Sequence, residues 1–358
     1  MRYRIAEILA PEDLGISGTK VINLKISDVI SRIEVIFRTQ NGDDGFDDHP
    51  AANIPKLELI DGSEVLFALT GREVQAVNFA DRRIPADNHM TGSNGEWMKA
   101  NYGLDFGRKL YDPVLAFDPT KFTNPQLKVT WNEALANTSC SNNYLQILAY
   151  IFDEYKPTPT GFLLNKQLYS YTPTADGYEY IDLPTDLPYR KLFLGSHQEQ
   201  YTFTQMIAEL KLSEDNDKRV PVDLLGTELW WENKKNFPEY IENVYMNIAA
   251  TSTVFRVTPS EDAVITGNPT SAEETLILLF GNGGYATGKM ATTKNTCYLI
   301  CKGYIPHGYA ALPFGDQDLI EDWYDVTKIE SLRLRIKAGP SLGATPTTQV
   351  LTQQIRKY

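Results

Sequence analysis

Residues 31–38 read SRIEVIFR, residues 126–132 read QLKVTWN and residues 331–337 read SLRLRIK. In the first, Ile33, Val35 and Phe37 alternate with Glu34 and Arg38. In the second, Leu127, Val129 and Trp131 alternate with Lys128 and Thr130. In the third, Leu332, Leu334 and Ile336 stand opposite Arg333, Arg335 and Lys337. A period of two in β-branched and aromatic residues predicts strands with one buried face. Further strands are predicted at Lys56–Ile60, Leu110–Phe117, Tyr144–Phe152, Lys191–Gly195, Met206–Leu212, Val244–Val257, Thr275–Phe280, Thr296–Lys302 and Gln349–Ile355. Helix signals are few. Asp61-Gly62-Ser63 followed by Val65, Leu66 and Leu69 predicts a helix over Ser63–Val77, weakened by Gly71, and Val222–Trp231 is a second candidate.

The chain has 358 residues, of which 42% are hydrophobic and 22% charged. That composition belongs to folded globular proteins, and at roughly 150 residues per domain the length suggests two. Turn-rich connections lie at 41–55, 84–97 and 258–274, long enough to protrude or carry contacts. LPTDLPYR at 183–190, with two prolines, is the expected junction, giving domains 1–186 and 187–358. No residue-level repeat between the halves is evident, yet both read as short strands joined by long loops. Two antiparallel sandwiches in tandem, an all-β fold with a few short helices, fit better than one large barrel.

The 34 Lys and Arg against 46 Asp and Glu give a net charge of −12. Phosphate binding needs a concentrated basic surface, and no run of Lys or Arg exceeds two, so direct sequence-specific nucleic-acid binding is not expected. The basic termini (Arg2, Arg4; Arg356, Lys357) are the exception. Cys140, Cys297 and Cys301 make an odd count, a poor disulfide framework, and MRYRIAEILAPEDLG has no long apolar core of a signal peptide. The apolar stretch Leu145–Phe152 is far too short to span a bilayer as a helix. The sequon Asn137-Thr138-Ser139 is read as a chance match on that basis.

No catalytic constellation emerges. GNGGYATGKM at 281–290 resembles a phosphate loop, but Met290 stands where a Ser or Thr would hold the metal, and the following ATTKNTCYLICKGY reads as strand rather than helix. It is read as a glycine-rich connection between strands. His49, His89, His197 and His307 fall in no metal-ligand spacing, Cys297 and Cys301 lack a second ligand pair, and no G-x-S-x-G elbow exists. Asp43, Asp44, Asp47 and Asp48 are candidate oxygen ligands for a structural Ca²⁺, without the spacing or closing Glu of an EF-hand, and SEDNDK at 213–218 is a similar acidic loop. A solvated acidic loop is the simpler reading of both. Trp230-Trp231 fits a buried wedge better than a sugar platform. No catalytic or cofactor-binding residue is assigned, and the pattern favours a structural or binding protein over an enzyme.

Several ordered segments resemble the double jelly-roll major capsid proteins of tailless icosahedral viruses, especially corticovirus-like and finnlakevirus-like bacteriophages. They are KISDVISRIEVIFRTQN at 25–41, LIDGSEVLFALTGREVQAVNF at 59–79, LAFDPTKFTNPQLKVTWN at 115–132, MIAELKLSEDNDKRVPVDLL at 206–225 and VLTQQIRKY at 350–358. The resemblance implies two eight-stranded jelly rolls standing roughly perpendicular to a capsid surface. It implies homotrimers of pseudo-hexagonal outline that tile a virion shell with penton and minor capsid proteins, usually around an internal membrane, after synthesis in the host cytoplasm. The loops at 41–55, 84–104 and 258–274 would then be candidates for towers or contacts between trimers, and the basic termini for the inner face. The alternative is a secreted two-domain carbohydrate-binding or adhesion protein. A β-sandwich glycosidase is a third class, and nothing singles out the two carboxylates it needs.

Overall fold

The alternating segments become strands because each can bury one face only by packing against a second sheet. The computed structural model describes residues 2–136, 140, 142–248, 253–269, 276–279, 283–290 and 295–358. In the first part of the chain these are β1 (Tyr3–Leu14), β2 (Ser17–Asn23), β3 (Ile30–Gln40), β4 (Lys56–Asp61), β5 (Glu64–Leu69), α1 (Gly71–Arg82), β6 (Met90–Gly92), β7 (Trp97–Asp105), β8 (Pro125–Asn132) and β9 (Asn142–Phe152). There follow β10 (Gly161–Tyr171), β11 (Tyr178–Leu183), β12 (Tyr189–His197), α2 (Phe203–Met206), β13 (Ile207–Glu214), β14 (Arg219–Leu225) and α3 (Gly226–Asn236). The chain ends with β15 (Tyr240–Ile248), β16 (Thr253–Arg256), β17 (Glu261–Pro269), β18 (Leu276–Leu279), β19 (Tyr285–Met290), β20 (Asn295–Tyr304), β21 (Tyr309–Pro313), β22 (Leu332–Ala338) and β23 (Thr347–Lys357).

Two eight-stranded jelly rolls result. In the first, β1-β9-β3-β7 faces β2-β8-β4-β5; in the second, β10-β23-β12-β21 faces β11-β22-β13-β14. Between the rolls β5 and β10 run parallel, pairing Phe67 with Asn165 and Ala68 with Lys166, so the two inner sheets fuse into one of eight strands. Each roll has its own core. Ile33, Val35, Leu127, Val129, Leu145 and Ile147 lie in the first; Leu192, Leu194, Leu210, Leu212, Leu334 and Ile336 lie in the second. Between α3 and β21 the second roll carries an insert, β15–β20, which with β6 from the first half forms two small sheets, β17-β20-β15-β6 and β16-β19-β18, around a third core containing Met246, Phe255, Cys297, Leu299 and Cys301.

Five expectations are corrected. β10 and β11 pair with β23 and β22, so the passage between rolls falls at residues 153–160, where Pro157 and Pro159 stand, and not at 183–190. Pro184 and Pro188 instead mark the corner between the second and third strands of the second roll, because a proline pair interrupts a ladder equally well at a corner or a linker. The helix expected at Ser63–Val77 is strand over Glu64–Leu69 and helix over Gly71–Arg82; a short apolar run fits either period. The helix expected at Val222–Trp231 likewise begins only at Gly226, after β14. Leu110–Phe117 forms only the isolated bridges Ile30–Phe117 and Leu115–Gly161, since Asp112 folds the segment into a turn by accepting from Arg108 and from the Val114 N–H. Val244–Val257 is divided between β15 and β16, and Thr275–Phe280 is described only as β18, its two end residues lying outside the described residues.

The halves also share a repeat that the sequence conceals. Both rolls leave their fifth strand through a cap, a Gly and a Glu two residues later: Thr70-Gly71-Arg72-Glu73 and Leu225-Gly226-Thr227-Glu228. A Cβ on Gly71 would strike the Ala51 carbonyl oxygen, and one on Gly226 the Ile207 carbonyl oxygen. Seven residues past each Gly, Asn78 donates to the Gly103 carbonyl and accepts from its N–H, while Asn233 does the same with Ala311. Asn233→Ala leaves a buried N–H and C=O of β21 unpaired. It is expected to cost about 1–3 kcal/mol in chemical denaturation, and Asn78→Ala to cost a similar amount in the first roll.

Candidate functional site

A set of buried polar and charged side chains meets where the first roll, the second roll and the insert come together. The Thr70 hydroxyl accepts from the Glu73 N–H, and the Glu73 carboxylate accepts from the Thr70 N–H, which fixes the start of α1. The helix then lies across the outer face of β12 and β23. Asp81, on its last turn, accepts from Arg190 Nη1 at 2.6 Å, from Gln353 Nε2 at 2.7 Å and from Lys191 Nζ. Burial works to raise the Asp81 carboxyl, but Lys191 and Arg190 outweigh it and hold the pKa at about 2. Burial pulls Lys191 down to about 8 against the attraction of Asp81. Asp81 and Lys191 are therefore both charged at neutral pH.

Beside them, Tyr309 of β21 sends its hydroxyl to Gln349 Oε1 at 2.6 Å, with Glu73 Oε1 at 3.4 Å. Burial lifts the Glu73 carboxyl to about 7. His49, ahead of β4, accepts the Ala51 N–H at Nδ1 and therefore donates from Nε2 to Glu242 of β15 at 2.8 Å. The second Glu242 oxygen accepts from the Thr258 N–H and hydroxyl, both at 2.8 Å. His307 donates to Gln75 of α1 at 3.0 Å, and its ring meets that of His49 edge-on at 4.8 Å. Burial drives His307 well below its ordinary pKa and lowers His197 to about 4. Among the described residues of this seam no nucleophile-and-base pair is formed. The seam is a fastening that ties three bodies into one.

The residues singled out in the sequence are scattered around this seam. Asp43 Oδ1 accepts from the Asp44 N–H, Asp44 Oδ1 from the Asn94 N–H and Asn247 Nδ2, and Asp48 pairs with Arg72. These contacts hold the loop against the insert, and among the described residues no three His, Cys, Asp or Glu gather as a metal-holding group. In the second acidic loop, Asp217 pairs with Lys211 and Asp215 accepts from the N–H groups of Glu330 and Ser331. Gly283 and Gly284 take positive φ and lead straight into β19, so no helix follows the glycine-rich motif; Gly281 and Asn282 lie outside the described residues. Cys297 and Cys301 are buried in the core of the insert, and burial raises the Cys301 thiol; burial lifts Cys140 to about 12. Trp230 packs against the second core under Lys234, whereas Trp231 is exposed. The sequon at 137–139 and residues 270–274 of the expected loop lie outside the described residues. Residues 261–269 of that loop and much of 84–104 are strands β17, β6 and β7.

The termini share one end of the molecule. The Asp153 N–H donates to the Arg2 carbonyl, the Tyr358 N–H to the Thr160 carbonyl, and Arg356 pairs with Glu64 at the start of β5. α1 leaves from the opposite end of that strand, so the insert that packs on it stands away from the termini.

No protein-family model matches the chain, and no curated protein matches it in sequence. Solved structures match over 99% of its length. The MCP of STIV, the Sulfolobus Turreted Icosahedral Virus, aligns over 97% of its own chain at 10% identity with a TM-score of 0.63. PBCV-1 VP54 aligns over 93% at 11% identity with a TM-score of 0.58, and the major capsid protein of Bacteriophage PM2 over 98% at 11% with 0.56. The fold defined by strand order is therefore the double jelly roll of these proteins, in a chain of nearly the same extent.

The role of the seam can be measured. Asp81→Asn leaves Lys191 and Arg190 buried with their carboxylate partner gone, and is expected to lose about 3–5 kcal/mol in urea unfolding. Glu73 binds its proton up to about pH 7 in the folded chain but only to about 4.5 when unfolded, so the native state holds more protons between those values. Its contribution to stability is greatest below about pH 4.5 and falls by roughly 3 kcal/mol as pH rises to 7. Glu73→Gln keeps the capping oxygen and is expected to remove that part of the slope.

Proposed function

We propose that this chain is the structural major capsid protein of an icosahedral virus, without catalytic activity, and resides in the virion. The observation that carries the reading is the strand order itself. Two jelly rolls are fused through β5 and β10 in one chain, and they align end to end with the capsid proteins of three viruses that share almost no sequence with it. The seam supports the reading, because a lattice subunit must present its surfaces at fixed angles. The net charge of −12 supports it too, since a coat need not touch the genome.

In this proposal three chains form a trimer of pseudo-hexagonal outline, and trimers tile the shell with penton and minor proteins. The insert stands outward as a tower, and the basic termini face inward toward minor proteins or an internal membrane. Structural Ca²⁺ remains a proposal, with Asp43, Asp44, Asp47 and Asp48 as the candidate oxygen donors. The carbohydrate-binding alternative gains no support from Trp230, which is packed rather than presented as a platform.

Sedimentation of the purified protein, followed by negative-stain microscopy, tests the reading. Trimers with a hexagonal outline, or closed shells, are expected, with each contact burying more than about 2,000 Å². A 40.4 kDa monomer at all concentrations would overturn it.

A further inference from the structure

A cavity of about 230 Å³ lies in the seam, between the start of α1, the end of β12 and the start of β23. The first roll lines it with Ala51, Thr70 and Arg72, and the second with His197, His307 and Gln349. Leu135, also on its wall, is 42% exposed, so the cavity reaches solvent. Its volume suits a small ion with a few waters and falls below that of sites for larger organic ligands, about 300–1,000 Å³.

Two nitrogens of the lining residues are buried and make no hydrogen bond among the described residues: Arg72 Nε, a donor, and His307 Nδ1. The character of His307 Nδ1 follows from the other side of its ring. Gln75 donates its amide N–H groups to Asn88 Oδ1 at 2.9 Å and to the Asn101 carbonyl at 3.1 Å, so its oxygen accepts from His307 Nε2. Burial keeps this fully enclosed ring neutral, which leaves Nδ1 a lone-pair acceptor. The turn that carries it is strained. Ile305 and His307 take left-handed φ of 49° and 58°, a conformation that persists in such residues only where the surroundings enforce it. Gln349 commits its oxygen to the Tyr309 hydroxyl at 2.6 Å, so its amide N–H groups are the ones left to donate.

The charge around these atoms is basic. Besides burial, the groups that act to lower His307 are His49, Arg72 and His197. At His197 the effect of Arg72 exceeds that of Asp48, its ion-pair partner. Glu73 stands behind Tyr309, and burial lifts its carboxyl to about 7, so it is largely protonated in mild acid. Glu242 is engaged by His49 and Thr258. Surroundings that resist a further proton in this way favour an anion. The lone pair on Nδ1 adds a second condition, that the anion bring a hydroxyl of its own.

We propose that this cavity binds a small oxyanion that keeps a hydroxyl, namely a hydrogen phosphate group, clamped between the two rolls. Arg72 Nε and the Gln349 amide donate to its oxygens, and its P–OH donates to His307 Nδ1. Sulfate has the same shape but no hydroxyl near neutral pH, so it sets one lone pair against another and leaves the buried Nδ1 unsatisfied. A free phosphate ion and a small phosphate ester share the chemistry that this cavity selects. The site stands apart from the capsid reading and does not depend on it.

The test is isothermal titration calorimetry of the whole chain at about pH 6, where phosphate and its monoesters retain a P–OH in large part. Inorganic phosphate, glycerol 3-phosphate and sulfate are titrated in turn. One phosphate per chain is expected, bound at least about tenfold more tightly than sulfate, the effect of one buried hydrogen bond. Glycerol 3-phosphate binding equally well assigns the site to a phosphate ester, and its failure to bind assigns it to the free ion; either result sustains the proposal. Arg72→Gln and Gln349→Met are each expected to weaken phosphate binding at least about tenfold. The comparison of anions uses the native chain, so it decides even where a variant fails to fold. Sulfate bound as tightly as phosphate, no binding of either, or full phosphate affinity in a folded Arg72→Gln chain overturns the proposal.

Discussion

The carboxylate of Asp81 is the point on which the arrangement of the two rolls turns. A helix of the first roll carries it into the outer sheet face of the second, where Arg190, Lys191 and Gln353 converge on it. None of the three charges can be left there alone, because an unpaired buried charge costs several kcal/mol. The parallel pairing of β5 with β10 spans only two residue pairs, so the helix and its charge cluster set the angle at which the rolls meet. His49 with Glu242 and His307 with Gln75 do the same for the insert, each reaching from one body into another.

The two rolls are variations on one plan that diverged where they meet their surroundings. Asn78 and Asn233 keep the same pair of hydrogen bonds because the backbone geometry of the sixth strand demands them in both rolls. Positions facing the junction differ between the rolls. Ala76 is small where a sheet presses against it, and its counterpart Trp231 is large where the isolated chain leaves it open. The connection that follows the helix differs most. In the first roll it is a short crossing through β6, and in the second it grows into β15–β20, to which β6 contributes one strand.

Much of the fold was legible in local pattern. SRIEVIFR, QLKVTWN and SLRLRIK are strands β3, β8 and β22, because alternation states directly which face is buried. Strands buried on both faces were harder. EVLFAL at 64–69 has no alternation, since both of its faces are covered, and so short an apolar run fits a helix as well as a strand; the helix starts only after Thr70, where Thr70 and Glu73 cap it. β10, Gly161–Tyr171, gave no signal for the same reason at its first residues. The seam was not legible either. Asp81, Arg190, Lys191 and Gln353 are ordinary polar residues in sequence, separated by up to 272 positions, and no local spacing links them.

The sequence by itself determined the class of structure: an acidic, all-β chain in two halves, with no catalytic spacing and a glycine-rich segment that enters a strand rather than a helix. These follow from periods and residue types within a few positions of one another. The tertiary structure decided which strands belong to which half, and so moved the passage between rolls to residues 153–160. It also decided which charges are buried together and that the halves share one register. Strand partners and buried ion pairs are chosen by packing across hundreds of residues, and the alternation that marks a strand carries no record of its neighbour.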